Sequence, residues 1–322
     1  MAEPRNAPEE LEAALLGGDR RYTRAEVARR TGVPLERAER LWRALGFAGV
    51  ADDEVVFTDD DVDALVLLAR LVEQGAIDQD AEASLARSLG QTLARLADWQ
   101  TMLIREAASG SDGASPDVVG TARSLAPALE RLQSYAWRRH LVAAAGRLLP
   151  VSSADPRSAT LVVGFADIVG FTRYSRTSND AELAALVEHF EAAGSEVVVA
   201  HGGRVIKMIG DEVLFIAYTP TSGADIALEL ASRSRDDAGF PRVRVGLAYG
   251  TVLSRLGDVY GPVVNVAARL TSLARPRTVL CDRALMRVLA DDPRYGLRRQ
   301  RRVSVRGYAR LEPWVLRSGG GS

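Results

Sequence analysis

The first half of the chain has apolar residues at the three- and four-residue spacing that is typical of amphipathic helices. Thr23 and Thr58 each stand just before such a segment, where a side-chain hydroxyl can cap the free backbone N–H groups of a helix. The predicted helices cover 24–31, 35–45, a long segment from about residue 59, and 125–149. This half of the chain is therefore predicted to be all α.

From Ser158 onward the pattern changes, because short apolar or alternating segments interleave with helical ones. The predicted strands cover 160–165, 204–209, 212–217, 242–249, 278–281 and 302–316. The predicted helices cover 180–201, 224–234 and 263–273. Interleaved strands and helices with tight hairpins predict an α+β domain.

Composition and charge fit a globular protein with two domains, since 322 residues are 47% hydrophobic and 26% charged. The formal net charge of -1 gives no overall basic field that would attract nucleic acid or an anionic membrane. Cys281 is the only cysteine, which fits a reducing compartment. The first residues do not form a secretory signal, and no segment approaches the ~20 apolar residues that span a bilayer. We therefore expect a soluble, cytoplasmic protein with no membrane partner.

Lys207 is the only lysine among 41 basic residues, and every other one is arginine. A compact ammonium can enter a site where the planar guanidinium of arginine does not fit. The alternative interpretation is a solvated residue on a strand. The imbalance makes Lys207 a candidate binding residue.

Asp167 and Asp211 form a candidate site for divalent cations. Asp167 directly follows an apolar strand, and Asp211 lies in a hairpin turn that could face the end of that strand. The backbone carbonyl of Ile168 is a further hard oxygen ligand. Two aspartates that hold Mg²⁺ or Mn²⁺ suit phosphoryl transfer. Taken alone, Asp211 also fits a simple turn residue and Asp167 a helix N-cap.

Asn265 and Arg269 lie four residues apart and share one face of a helix that starts near Gly261. An amide beside a guanidinium can bind a ribose and a phosphate. An ordinary surface helix also shows this spacing.

Three segments, FADIVGFT (165–172), KMIGDE (207–212) and DVYGPVVNVAAR (258–269), together resemble the catalytic signature of the class III nucleotidyl cyclases. The resemblance covers about half of the chain, and the motifs occur in the right order with matching internal spacing. It implies that the C-terminal part is a ferredoxin-like cyclase homology domain, preceded by an all-α regulatory domain.

The resemblance also implies a role for each motif residue. Asp167 and Asp211, with the Ile168 carbonyl, would bind two divalent cations, Mg²⁺ or Mn²⁺. Lys207 would donate to the ring N1 of adenine, and Asp258 would accept from its N6 amino group. An acidic residue in place of the lysine is typical of guanylyl cyclases, so this pair favours ATP as the substrate.

Further implied roles concern the ribose and the phosphates. Asn265 would orient the ribose, and Arg269 would stabilise the charge on the α-phosphate during in-line attack by the 3′-hydroxyl. Arg306 stands where a lysine that contacts the triphosphate is usual, and arginine has a different reach. The products would be cyclic AMP and pyrophosphate. In this family the two aspartates come from one protomer and the remaining groups from the other, which implies a homodimer with two shared active sites.

The N-terminal half has a resemblance of its own. Residues 21–33 and 57–75 resemble the helix-turn-helix and the next helix of MerR-type regulators. Acidic residues at 51–54 and 59–63 occupy the place of a basic wing and would oppose binding to phosphates. We therefore expect no nucleic-acid partner. The region also resembles the N-terminal domain of soluble bacterial cyclases that are regulated through that half.

Regulation by a proton or by a small apolar ligand is the expectation for this region. His140 is the candidate proton sensor, because histidine titrates near neutrality. The alternatives are a guanylyl cyclase, or a MerR-like DNA-binding regulator with a catalytically silent cyclase-like domain. The predicted segments are a flexible tail (1–19), the regulatory domain (20–135), a linker helix (136–157), the catalytic domain (158–317) and a second flexible tail (318–322).

Overall fold

The computed structural model describes residues 7–16, 18–47, 49–109, 117–148, 158–305 and 308–319. The chain divides into two compact units, Met1–Pro150 and Val151–Ser322, and each is described by itself. The first is helical and the second combines a large mixed sheet with helices, which confirms the predicted fold class. In the part of the chain that is described, no helix is long and apolar enough to cross a membrane.

Two of the helices in the first unit begin directly after the predicted capping residues, Thr23 and Thr58. The helices of this unit are α1 (Ala7–Leu15), α2 (Arg24–Thr31), α3 (Leu35–Leu45), α4 (Asp59–Glu73), α5 (Gln79–Ala108) and α6 (Val118–Leu148). The Thr23 hydroxyl accepts the Glu26 N–H, and the Glu26 carboxylate accepts the Thr23 N–H, which caps α2 from both sides. The core of this unit forms around Trp42 and Phe57, whose rings stack with centroids 4.4 Å apart.

Helices in the first unit differ from the expected segments at two places. Helix α1 occupies much of the expected flexible tail, and Arg20 donates to both carboxylate oxygens of Glu12 at 2.5 and 2.7 Å, which ties the end of this segment back to the helix. Helix α6 is continuous through the expected boundary between the regulatory domain and the linker helix at 135/136. Residues 149–157 of the expected linker lie outside the described residues.

The second unit is built on an eight-stranded sheet. The strands are β1 (Ser158–Ile168), β2 (Arg204–Ile209), β3 (Glu212–Ala217), β4 (Val243–Arg255), β5 (Asp258–Tyr260), β6 (Val279–Cys281), β7 (Tyr295–Arg299), β8 (Val303–Val305), β9 (Tyr308–Leu311) and β10 (Trp314–Ser318). The order is β2-β3-β1-β4-β6-β10-β7, β5 pairs with β4, and β8 and β9 form a separate ribbon. The expected strand at 302–316 is thus divided into three, and Pro313, which lacks an N–H donor, stands just before the last of them.

Five helices accompany this sheet among the described residues of the second unit. They are α7 (Phe171–Thr177), α8 (Asp180–Ala200), α9 (Pro220–Arg233), α10 (Pro262–Leu273) and α11 (Arg283–Leu289). Helix α10 approaches β4 so closely that a Cβ at Gly246 would lie 2.2 Å from the backbone nitrogen of Thr271. Glycine therefore sets the distance between this helix and the sheet.

Candidate active site

The end of β1 brings Asp167, Ile168 and Asp211 together. Strands β1 and β3 are antiparallel, and Asp167 pairs with Glu212 in their register. One residue further on, the Ile168 N–H donates to the Asp211 carbonyl at 2.9 Å. This bond places the hairpin turn that carries Asp211 beside the end of β1, so that two aspartates and a backbone carbonyl share one edge of the sheet.

Arg244 is a member of this edge that the sequence patterns did not indicate. It pairs with Asp167 in the β1–β4 register, and its Nε donates to Asp167 Oδ2 at 2.5 Å. Burial raises the pKa of Asp167 above its ordinary value; Arg244 opposes this effect, and the charge of Asp211 adds to it. Arginine thus supplies the positive charge next to a partly buried carboxylate.

Glu212 is the second residue that sequence reasoning missed. Burial, followed by the charges of Asp167 and Asp211, raises its pKa to about 7. The only signal was its position directly after Asp211 at the start of an apolar strand. Negative charge therefore accumulates at this edge beyond what Arg244 compensates.

The donor set at this edge fits a divalent cation. Carboxylate and carbonyl oxygens are the ligands that Mg²⁺ and Mn²⁺ prefer. Among the described residues, no three His, Cys, Asp or Glu side chains form a ready metal-ligand group. Magnesium is commonly held by one or two carboxylates together with substrate phosphates, so two aspartates suit a cation that arrives with a nucleotide.

Lys207 and Asp258 form a separate pair. Lys207 Nζ donates to Asp258 Oδ2 at 2.6 Å, which joins β2 to the start of β5. A register shift between Val205 and Lys207 interrupts the β2–β3 ladder, as bulges do where a side chain must be redirected. Burial pushes the pKa of Asp258 upward, but the Lys207 hydrogen bond and the Val259 N–H outweigh burial, and the pKa lies below its ordinary value. The pair therefore presents an ammonium donor next to an ionised acceptor.

Asn265 and Arg269 lie on one face of α10, as predicted. Gly261, with φ of 134°, precedes the helix, and Pro262 occupies its first turn. Both side chains are exposed, and neither has a hydrogen-bond or ion-pair partner among the described residues. An amide and a guanidinium on an exposed helix face can bind a ligand that contains hydroxyl and phosphate groups.

Arg306 lies outside the described residues. His140 is on α6 in the first unit, where its side chain is exposed. The structure thus brings Asp167, Ile168 and Asp211 together at one edge. It pairs Lys207 with Asp258 at a second place, and it places Asn265 and Arg269 on α10.

Comparisons with known proteins cover both units. Residues 154–318 match the family model described as "Adenylate and Guanylate cyclase catalytic domain", and residues 4–131 match the model described as "Adenylate cyclase regulatory domain".

Similar proteins match over most of the chain. A protein of Glutamicibacter nicotianae named adenylate cyclase is 41% identical over 97% of this chain and 82% of its own length. An adenylate cyclase of Streptomyces coelicolor is 39% identical over 97% of this chain and 90% of its own length. A Mycobacterium tuberculosis protein named pH-sensitive adenylate cyclase is 32% identical over 87% of this chain and 73% of its own length. The chain therefore belongs to the class III adenylate and guanylate cyclase family, among the adenylate cyclases whose catalytic domain follows an adenylate cyclase regulatory domain.

Proposed function

We propose that two copies of this chain convert ATP into cyclic AMP and pyrophosphate at two shared sites. The observation that carries the proposal is the ion pair between Lys207 and Asp258, with 2.6 Å between Nζ and Oδ2. It supplies the donor and the acceptor that adenine requires at neighbouring positions, in a chain that also holds a cation-binding edge.

Adenine recognition follows from hydrogen-bond polarity. Adenine presents an acceptor at N1 and a donor at its N6 amino group, whereas guanine has the acceptor O6 at the position of N6 and carries a proton on N1. With Lys207 at N1 and Asp258 at N6, both hydrogen bonds to adenine can form. In guanine, the N1 proton would meet the Lys207 donor and O6 would meet the Asp258 acceptor. Because the pKa of Asp258 lies below its ordinary value, the acceptor is ionised at neutral pH.

The Asp167 edge would hold the cations. Divalent cations bound there would lower the pKa of the 3′-hydroxyl and neutralise the triphosphate. Asp167 and Asp211 provide the carboxylates, and the Ile168 carbonyl provides a further oxygen. For a cation to bind Asp167 Oδ2, the hydrogen bond that Arg244 Nε donates to this oxygen would have to break.

Asn265 and Arg269 would act on the sugar and the α-phosphate. The Asn265 amide can hold the ribose so that the 3′-oxygen lies in line with the bond that breaks. The Arg269 guanidinium can donate two hydrogen bonds to the phosphate oxygens, where negative charge grows in the transition state. Neither side chain has a partner among the described residues, so each can accept this role without breaking another contact.

Exposed apolar residues of the first unit support a second copy as the partner. Seven large apolar residues in the described parts of α5 and α6 are each more than half exposed: Trp99, Met102, Leu132, Tyr135, Trp137, Leu141 and Val142. Together they expose on the order of 1,000 Å², which is comparable with one side of a stable protein interface. Covering this surface would add to the contact between two catalytic units that share active sites.

The first unit would control the reaction by one of two signals. A cavity of about 450 Å³ in the first unit has Trp42, Val56 and Phe57 in its wall, which suits a small apolar ligand. The proton is the other candidate signal, because His140 is exposed on α6 and a relative is named for its pH sensitivity. An unchanged pH–activity profile in His140→Ala would exclude this residue as the sensor.

Purified protein should be assayed with ATP and with GTP side by side in the presence of Mn²⁺. The proposal expects cyclic AMP and little cyclic GMP. Preferred turnover of GTP would instead identify a guanylyl cyclase, and the absence of both products would favour a silent cyclase-like domain.

Mixing inactive variants tests the shared site. Asp211→Ala and Arg269→Ala should each be inactive, and an equimolar mixture should recover about a quarter of the activity, since half of the dimers would have one intact site of two. A mixture of Asp167→Ala with Asp211→Ala is the matched control and should stay inactive. If folded Asp211→Ala and Arg269→Ala exchange subunits and remain inactive, the shared site is wrong.

A further inference from the structure

A groove in the first unit, between α3 and the first half of α5, has the properties of an anion-binding site. Its volume is about 520 Å³, and its wall combines four arginines, Arg37, Arg40, Arg43 and Arg87, with the carboxylates of Asp80 and Glu82. Four positive and two negative groups leave a net charge of +2 along the groove. This charge is local, because the whole chain has a net charge of -1.

One of the two carboxylates is already neutralised. Glu82 is only 3% exposed, and Arg37 binds it through two hydrogen bonds, at 2.6 Å to Oε1 and 3.1 Å to Oε2. A buried bidentate pair of this kind holds both side chains in one geometry. It therefore forms a fixed part of the wall rather than a mobile counterion for the other arginines.

The remaining arginines have no counterion in the described parts of the chain. The side chains of Arg40, Arg43 and Arg87 are exposed, and none makes a hydrogen bond or ion pair with a described residue. Asp80 is the only carboxylate left on the groove wall. Like charges around one groove repel one another unless an anion binds between them.

The two walls are held in a fixed relation. At Gly90, a Cβ would lie 2.3 Å from the Leu45 carbonyl oxygen, so α5 contacts the end of α3 through backbone atoms. Beyond the other end of the groove wall, the Asp78 carboxylate accepts the Ala81 N–H and caps α5. Because the two helices are held together, the backbone positions of their arginines are set before a ligand binds.

We propose that this groove binds a small anion with two or more linked phosphate groups. Guanidinium groups match phosphate oxygens with paired, parallel hydrogen bonds. Arg40 and Arg43 on one wall and Arg87 on the other would engage neighbouring phosphates. Leu41, Ala44 and Ala83 give the same wall an apolar part that the organic part of a nucleotide can contact. Free pyrophosphate and a nucleoside polyphosphate both carry the linked phosphates that the arginines require. The site is independent of the proposed function, since it uses none of the residues of the catalytic unit.

Calorimetric titration of the full chain with pyrophosphate, phosphate and ATP, in EDTA, tests the proposal. Pyrophosphate should bind at least 10-fold more tightly than phosphate, because it can engage more than one guanidinium. In the double variant Arg40→Gln/Arg87→Gln, pyrophosphate affinity should fall at least 10-fold. Tighter binding of ATP than of pyrophosphate would identify a nucleotide as the ligand, and equal binding would identify the free anion.

The matched control is Arg95→Gln/Arg105→Gln, which removes two exposed arginines from the same helix, α5, outside the groove. It should retain the wild-type affinity. Because all four positions are exposed, both double variants should keep the wild-type circular dichroism spectrum and melting temperature. Unchanged pyrophosphate affinity in the groove variant, or an equal loss in the control, would overturn the proposal, as would an affinity that does not decrease with added salt.

Discussion

Gly246→Ala offers a sharp test of how the sheet positions α10, the helix that carries Asn265 and Arg269. The added Cβ would lie 2.2 Å from the Thr271 backbone nitrogen and 2.5 Å from the Ala267 carbonyl oxygen, both in α10. Ordinary contacts begin near 3.4 Å. Because both neighbours are backbone atoms, no side chain can rotate away, and the helix must move by roughly 1 Å.

This displacement should affect stability and turnover together. Overpacking of this kind costs about 1–3 kcal/mol of unfolding free energy. Asn265 and Arg269 travel with α10, and a misplacement of about 1 Å can cost roughly 100-fold in rate. We therefore expect kcat for cyclic AMP formation to fall about 100-fold, and the melting temperature to decrease, in Gly246→Ala.

The matched control is Gly194→Ala in α8. A Cβ at Gly194 would meet no atom within 4 Å, and alanine favours helix by about 1 kcal/mol relative to glycine. This variant should keep wild-type turnover, with an unchanged or higher melting temperature. The reasoning fails if Gly246→Ala retains wild-type kcat and stability, or if Gly194→Ala loses as much activity as Gly246→Ala.

Three further predictions concern the Lys207–Asp258 pair, the acidic edge and the exposed apolar residues of α5 and α6. Lys207→Arg keeps the positive charge but introduces a larger planar group, so kcat/KM for ATP should fall about 10-fold or more while Mn²⁺ still raises the melting temperature; a wild-type kcat/KM would show that compactness is not required. The pKa of Glu212, about 7, lies above its ordinary value of 4.5, so its ionisation destabilises the fold as pH rises from 4.5 to 7 and the penalty persists above that range. Without divalent cations, Glu212→Gln should therefore be more stable than the wild type at about pH 8, by on the order of 1 kcal/mol after screening by water, and no more stable at about pH 4, as thermal unfolding at the two pH values would show. Trp137→Glu should weaken the dimer at least 10-fold in sedimentation experiments, whereas Glu106→Gln on α5 should not; equal dimer affinities would exclude this surface from the interface.

Local patterns were sufficient for much of the fold. The caps at Thr23 and Thr58, the hairpin around Gly210-Asp211 and the start of α10 near Gly261 depend on residues within a few positions of one another. Such features can be predicted because short-range hydrogen bonds and backbone preferences determine them. The sequence did not show whether a domain boundary interrupts α6 at 135/136, because the helical spacing of apolar residues is the same in both cases.

The sequence by itself determined which chemical groups the catalytic unit contains, because the three motifs and the single lysine are visible without a structure. The tertiary structure alone decided their partners. Arg244 and Asp167 are 77 positions apart, and only the register of β1 against β4 makes them neighbours. The burial that raises the pKa of Glu212 likewise depends on surrounding elements. Contacts between distant segments follow from how strands pair and helices pack, and a one-residue change in register would replace every one of these neighbours.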